Sequence, residues 1–197
     1  FTCSGEDLTP FAPRRKGATG FGPVQAPRGR IEARMTQPII KISPLSKPDL
    51  PRVTAIARIT WPVAFDGLIP AEEIPKIVET IYSQAQLEAD MDNGHAFWIA
   101  AADGKDAAFC AAYREGDTVW LKKLYVLPSA QGLGLGTRLT DTAIAHFPGA
   151  KEMSLFVKND NVKAIGFYER AGFAVARGVP VTMGHMNFTD YVMTRPL

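Results

Sequence analysis

The run Leu124-Tyr125-Val126-Leu127-Pro128-Ser129-Ala130-Gln131-Gly132-Leu133-Gly134-Leu135-Gly136-Thr137 passes from a strand pattern through three alternating glycines into a helix pattern. The first turn of a helix carries amides without internal partners and lies at the positive end of the helix dipole. Glycines without Cβ atoms let a backbone approach an anion closely, so this order of elements predicts a cradle for a diphosphate. Two nucleotide signatures do not fit. No reading of the glycines gives G-x-x-x-x-G-K-[ST], and the third glycine of G-x-G-x-x-G is missing, with Leu139 in its place when the count starts at Gly134.

On either side of the cradle the periods alternate. Upstream, Ile39 to Ser43 reads as a strand. Asp49 to Thr60 reads as a helix with Pro51 in its first turn, and Ala71 to Ile81 as a helix with Ile74, Ile77, Val78 and Ile81 on one face. Ser83 and Gln86 form an S-x-x-Q capping box that restarts a helix ending near Gly94. His95 to Ala101, Ala107 to Tyr113 and Thr118 to Val126 read as an antiparallel meander turning at Asp103-Gly104 and Glu115-Gly116-Asp117. Downstream, a helix from Thr137 to Phe147 leads to a strand from Met153 to Val157. A second crossover helix, Val162 to Ala171, has Asn161 as N-cap and Gly172 just past its end. Strands near Phe173 to Val179 and Phe188 to Thr194 close the sheet.

Composition narrows the class. A chain of 197 residues with 46% apolar residues suits a single globular core, and Cys3 and Cys110 lie too far apart in sequence to read as a metal pair. A reducing, cytoplasmic setting is expected, with no membrane span and no secretory signal. Residues 1 to 36 hold six basic and three acidic residues, so they carry +3, and the remaining 16 basic and 17 acidic residues leave −1 for the rest of the chain. The basic balance therefore belongs to a Pro/Gly-rich leader, and nucleic acid is not an expected partner. Residues 1–34 read as a linker or docked arm, or as vector-derived or over-extended sequence, with Met35 a natural start for a domain over 35–197.

Q-x-x-G-x-G does fit the loop, in Gln131, Gly134 and Gly136. Here the sequence resembles the GNAT-type N-acetyltransferase superfamily, which grips the pyrophosphate of acetyl-CoA with such a loop. The downstream element Asn161-x-x-Ala164-x-x-Phe167-Tyr168-Glu169-x-x-Gly172-Phe173, preceded by Asn159-Asp160, extends the resemblance. It implies a mixed, mostly antiparallel α/β sheet of six to seven strands flanked by about four helices. That sheet would be splayed where the strand ending at Val126 leaves the Met153 to Val157 strand.

The resemblance also implies site roles. Leu124, Tyr125 and Val126 would flank the pantetheine arm, with the Leu124 backbone amide polarising the thioester carbonyl. Gln131 would belong to the cofactor-binding loop, amides of Gly132, Leu133, Gly134, Leu135, Gly136 and Thr137 would hold the pyrophosphate with the Thr137 hydroxyl as a further donor, Asn159 would bond the pantetheine, and Ala164 and Phe167 would line the channel. Tyr168 would be the general acid, a phenol facing a sulfur of lower pKa. Some members carry a glutamate base at the position of Trp120. In its absence Lys122 and Lys123 are poor bases unless desolvated, and Glu72, Glu73, Glu115 or Asp117, through water, are the alternatives.

Three histidines, His95, His146 and His185, show no spacing for a metal site or triad, and no metal is expected. His146 reads as a helix C-terminal residue serving the dipole, His185 as a loop residue and Cys110 as a small core hydrophobe. Trp61, Phe65, Tyr82, Phe97 and Tyr191 read either as core or as the lining of an acceptor cleft. The expected partner is a small amine. The closing segment from Met183-Gly184 through Asp190, Met193 and Leu197 resembles the polyamine-acetylating branch, with Glu72, Glu73, Glu88, Asp90 and Asp92 available to a polycation. A homodimer, an idle CoA-binding sensor and a partner-binding scaffold are the further readings.

Overall fold

The computed structural model describes residues 37–183 and 186–197. The expectations for the leader 1–34, for Met35 and for His185 lie outside the described residues. Seven strands form one sheet: β1 (Ile40–Pro44), β2 (Ala96–Ala102), β3 (Lys105–Glu115), β4 (Thr118–Val126), β5 (Glu152–Lys158), β6 (Ala174–Met183) and β7 (Met186–Pro196), in the order β1-β2-β3-β4-β5-β7-β6. All neighbours are antiparallel except β4 and β5. Five helices flank it: α1 (Leu50–Ala64), α2 (Ile74–Ile81), α3 (Gln84–Asp92), α4 (Leu135–His146) and α5 (Val162–Arg170). They match the five helical segments read from the sequence, with α2 and α3 separated at Ser83 as the capping box suggested.

Local signals work largely as read. Asp103 and Gly104 both adopt positive φ, 49° and 76°, as a two-residue hairpin turn requires. Asn161 caps α5 by accepting from the Ala164 amide at 3.1 Å. Only half of the expected capping box forms at Ser83. Its hydroxyl accepts the Gln86 amide at 3.2 Å, while the Gln86 side chain turns forward and donates to Asp90 at 2.9 Å. The first long helix runs to Ala64 rather than Thr60 and contains Pro62 near its end.

Two cores share the sheet. Phe97, Ile99, Phe109 and Ala111 face α1, α2 and α3, which contribute Leu50, Val53, Ile77 and Leu87. Trp98, Ala100, Cys110, Leu121 and Met153 face the other way, with Leu135, Leu139 and Ala143 of α4. Strands β2 and β3 read as continuous apolar runs because both of their faces are covered. Of the five aromatics read as either core or cleft lining, Tyr82, Phe97 and Trp61 are core residues, at most 5% exposed, while Phe65 and Tyr191 are partly buried.

Candidate active site

The site begins with a ladder that stops early. β4 and β5 pair in parallel only from Thr118↔Glu152 to Leu121↔Leu155. Beyond that point β4 continues to Val126 and β5 to Lys158 without pairing, and the expected opening lies between them. A bulge contributes to it. Ala111 pairs with Lys123 and Ala112 with Leu121, which leaves Lys122 as an extra residue in β4.

After the bulge the ladder with β3 determines which peptide groups are free. The Leu127 amide donates to the Ala107 carbonyl at 2.8 Å, and Val126 lies opposite Ala108. Hydrogen-bonded and open pairs alternate in an antiparallel ladder, so Tyr125 and Lys123 bond back to β3. By the same alternation the peptide groups of Leu124 and Val126 turn toward the gap beside β5.

At the same end of β4 lies the glycine loop. Gly132 and Gly134 take left-handed φ values of 85° and 70°, with no atom within 4 Å of where a Cβ would stand. Gly134 is the N-cap of α4, without a side-chain cap, and the Arg138 amide closes the first helical bond on the Gly134 carbonyl at 3.1 Å. The amides of Leu135, Gly136 and Thr137 therefore lack partners within the helix.

The three glycines are not equivalent. A Cβ on Gly136 would stand 2.9 Å from Phe167 Cζ, so this residue admits the α5 ring against α4. Gln131, Leu133 and Thr137 are exposed, whereas the Leu135 side chain is buried and can offer only its amide. Asn159 is exposed just past β5, its own amide bound to the Thr189 carbonyl at 3.0 Å. Ala164 is partly buried on α5, packed against the core that includes Leu135 and Leu139 of α4.

Tyr168 projects from α5 into the core, edge-on to Phe167 and Phe173 at 5.2 and 5.7 Å between ring centroids. Burial raises its phenol well above the ordinary tyrosine value, with Tyr125 and Cys110 adding to the effect. Among the described residues its hydroxyl makes no hydrogen bond, so the O–H is available to a ligand. Cys110 itself is fully buried, its thiol pushed up by burial, and its sulfur contacts the Leu139 carbonyl at 3.6 Å.

The candidate bases separate by position. Glu115 and Asp117 belong to the β3–β4 turn, at the closed end of the parallel ladder, and Asp117 pairs with Lys151 at 2.6 Å. Seven residues of strand put Asp117 roughly 20 Å from Leu124, so both leave the candidate set. Glu73, at the start of α2, pairs with Lys76 at 2.9 Å. Trp120 stacks on Phe156, ring centroids 5.0 Å apart and 14° from parallel.

Lys123 is desolvated, as a lysine base would need to be, but it is already paired. Its ammonium donates to Asp90 at 2.6 Å, with both side chains buried. Burial lowers the Lys123 pKa, opposed by Asp90. For Asp90 burial acts in the raising direction, and the Lys123 and Gln86 hydrogen bonds outweigh it, holding the carboxyl below its usual range. His95 stands 3.9 Å from the same carboxylate and stacks on Tyr113 at 4.5 Å, its pKa lowered chiefly by burial. Sequence reading missed this cluster. The only local trace was the S-x-x-Q box, whose glutamine turns to Asp90.

Comparison with known proteins completes the description. Residues 56–173 match the Acetyltransferase (GNAT) family. An uncharacterized N-acetyltransferase of Mycobacterium bovis is 31% identical over 153 residues, 76% of this chain and 98% of that protein. A mycothiol acetyltransferase of Geodermatophilus obscurus is 48% identical over 56 residues, 26% of this chain and 18% of that protein. The PaiA N-acetyltransferase of Thermoplasma acidophilum, solved in complex with coenzyme A, superposes with a TM-score of 0.69 and 26% identity over 81% of this chain and 99% of its own. A parallel pair that parts at Leu121, an uncapped helix behind a glycine loop and this span of similarity together make the chain a member of the GNAT acetyltransferase family, and an N-acetyltransferase by kinship.

Proposed function

We propose that residues 35–197 form a catalytic domain that moves an acetyl group from acetyl-CoA to the primary amine of a small molecule, by direct attack in a ternary complex. The observation that carries this reading is the end of the β4–β5 ladder at Leu121↔Leu155, which turns the Leu124 and Val126 peptide groups into an opening. The pantetheine arm pairs with those groups as an added strand, Tyr125 keeping its own peptide group on β3. The Leu124 amide stabilises the negative charge that develops on the thioester oxygen.

Amides from Gly132 to Thr137, with the Thr137 hydroxyl, hold the pyrophosphate at the positive end of α4. Asn159 bonds the arm, and Ala164 and Phe167 line the channel. Tyr168 offers its O–H to the sulfur as the carbon–sulfur bond breaks. Tyr168 passes that proton to the departing sulfur, and its phenolate, a stronger base than a thiolate, takes up the proton given up by the amine, so Tyr168 ends the step protonated and CoA leaves as the thiol. Cys110, buried and unpaired, suits action in a reducing cytoplasm.

The test is a melting curve with and without acetyl-CoA, followed by release of free thiol over a panel of amines. At about 100 times its dissociation constant, acetyl-CoA should add about 2.7 kcal/mol. A melting temperature indifferent to acetyl-CoA would overturn the reading.

A further inference from the structure

The sheet face opposite α4 and α5 carries a second set of side chains at the opening. Val157 packs on the α4 side, so Phe156 projects from the opposite face, and it is the first residue of β5 beyond the last pair with β4. It is 46% exposed although it stacks on Trp120. Trp120 lies opposite Tyr113 on β3, and Ala111, two residues earlier, marks this face as the one packed by α1, α2 and α3. Tyr113, Trp120, Leu121, Lys122 and Phe156 line a recess there.

Next to Phe156 on the same face stands a carboxylate. Phe156 pairs with Val192 and Lys158 with Asp190, so Asp190 is one diagonal step from Phe156, about 7–8 Å away. Its Oδ1 is buried and has no hydrogen-bond partner among the described residues. Lys158 faces it from β5, but the Lys158 ammonium hydrogen-bonds Asp160 and lies over the Phe188 ring. A buried acceptor oxygen without a donor is costly unless something supplies the donor.

Four of the carboxylates read as available to a polycation already have partners. Asp90 is engaged by Lys123, Asp92 by Lys47 at 2.6 Å, Glu73 by Lys76, and Glu88 accepts from Gln84 at 2.6 Å. Lys122 adds a positive charge to the recess lining itself.

We propose that the acceptor is a monoamine with a flat apolar body, which lies on Trp120 and Phe156 while its amino group hydrogen-bonds Asp190. The proposal rests on the acetyl-CoA reading above. The cosubstrate reaches the opening from the α4 side, and the aromatic pair leaves the opposite face to the acceptor.

Phenethylamine, n-butylamine and spermidine are compared with the whole chain, by thiol release and by quenching of tryptophan fluorescence in the presence of CoA. Phenethylamine should be preferred by about tenfold or more, the scale of an apolar pocket's discrimination. Phe156→Ala should erase that preference. Asp190→Asn should raise KM for each amine accepted by about tenfold, the size of a lost hydrogen bond to a charged group. Both variants should keep the thermal shift with acetyl-CoA, which reports their folding and cosubstrate binding. Equal or better use of spermidine, or an aryl-to-alkyl ratio unchanged in Phe156→Ala, overturns the proposal. A wild-type chain that shifts with acetyl-CoA but neither acetylates phenethylamine nor is quenched by it also overturns it, and leaves the cosubstrate reading standing.

Discussion

Gly134→Ala separates a glycine kept for backbone geometry from one kept for an anion. Gly134 has φ +70° and open space around its missing Cβ, so alanine meets no clash and its cost is conformational, about 1–2 kcal/mol for an L-residue in the left-handed region. In a domain of this size that is roughly 2–8 °C of melting temperature. Gly149 supplies the control, with φ +78° and equally open space in the turn after α4. The helix between them is 12 residues long, about 18 Å, so Gly149 lies far from the loop.

Both variants should therefore lose similar intrinsic stability. Only Gly134→Ala places a methyl where the phosphate must approach. Losing one charge-assisted hydrogen bond costs about 1.5–3 kcal/mol, which weakens acetyl-CoA roughly 10- to 100-fold. At an acetyl-CoA concentration about 100 times the wild-type dissociation constant, stabilisation should fall from about 2.7 kcal/mol to between about 0.4 and 1.4 kcal/mol, while Gly149→Ala keeps the full value. Scanning fluorimetry at fixed acetyl-CoA reads the difference. Equal ligand-induced shifts in the two variants would refute the assignment of the loop as a phosphate seat.

Tyr168→Phe should lower kcat by roughly 100-fold with little change in the acetyl-CoA shift, since it removes a proton donor and not a binding surface. Burial raises the phenol above 10, so wild-type kcat should show no loss on the alkaline side from Tyr168 ionisation up to pH 10, and a kcat unaltered by the phenylalanine would remove the acid role. Lys123→Met alone should destabilise by about 3–5 kcal/mol in urea titration, because it strands the Asp90 carboxylate, whereas Lys123→Met with Asp90→Leu should recover most of that loss. Because Asp90 titrates below its usual range when folded, the pair's contribution should be present above pH 4 and fade as pH falls through the folded value, an acid sensitivity absent from the double variant. Gly136→Ala should cost about 1–3 kcal/mol through overpacking against Phe167, visible as a lower melting temperature even without ligand.

What could be read from the sequence was what short stretches determine. The left-handed turn at Asp103-Gly104, the Asn161 cap, the Leu139 and Ala143 stripe of α4 and the glycine loop depend on residues within a few positions of one another. The face proposed for the acceptor could not be read in the same way, because it is set by register. Phe156 stands just past the last pair of the β4–β5 ladder, and Asp190 shares its face only through the pairing of β5 with β7. Lys123 was legible as a lysine in a strand, but not as the partner of Asp90, 33 residues away on α3. Its pairing depends on the bulge at Lys122, which no local signal announced.

That the anion seat and the strand opening fall together follows from the topology. β4 and β5 are parallel, so their carboxyl ends lie side by side, and the segments leaving them lead to α4 and α5 at that one end. Two helix N-termini are thus directed toward one opening, and the sequence distinguishes them. On α5 the Asn161 side chain already occupies the Ala164 amide, at 3.1 Å. On α4 a glycine stands at the cap position and leaves the first-turn amides without a side-chain acceptor. An incoming diphosphate therefore finds free donors on α4 and must displace a cap on α5. The proposed seat falls to α4 because Gly134 lacks the side chain that would have closed it.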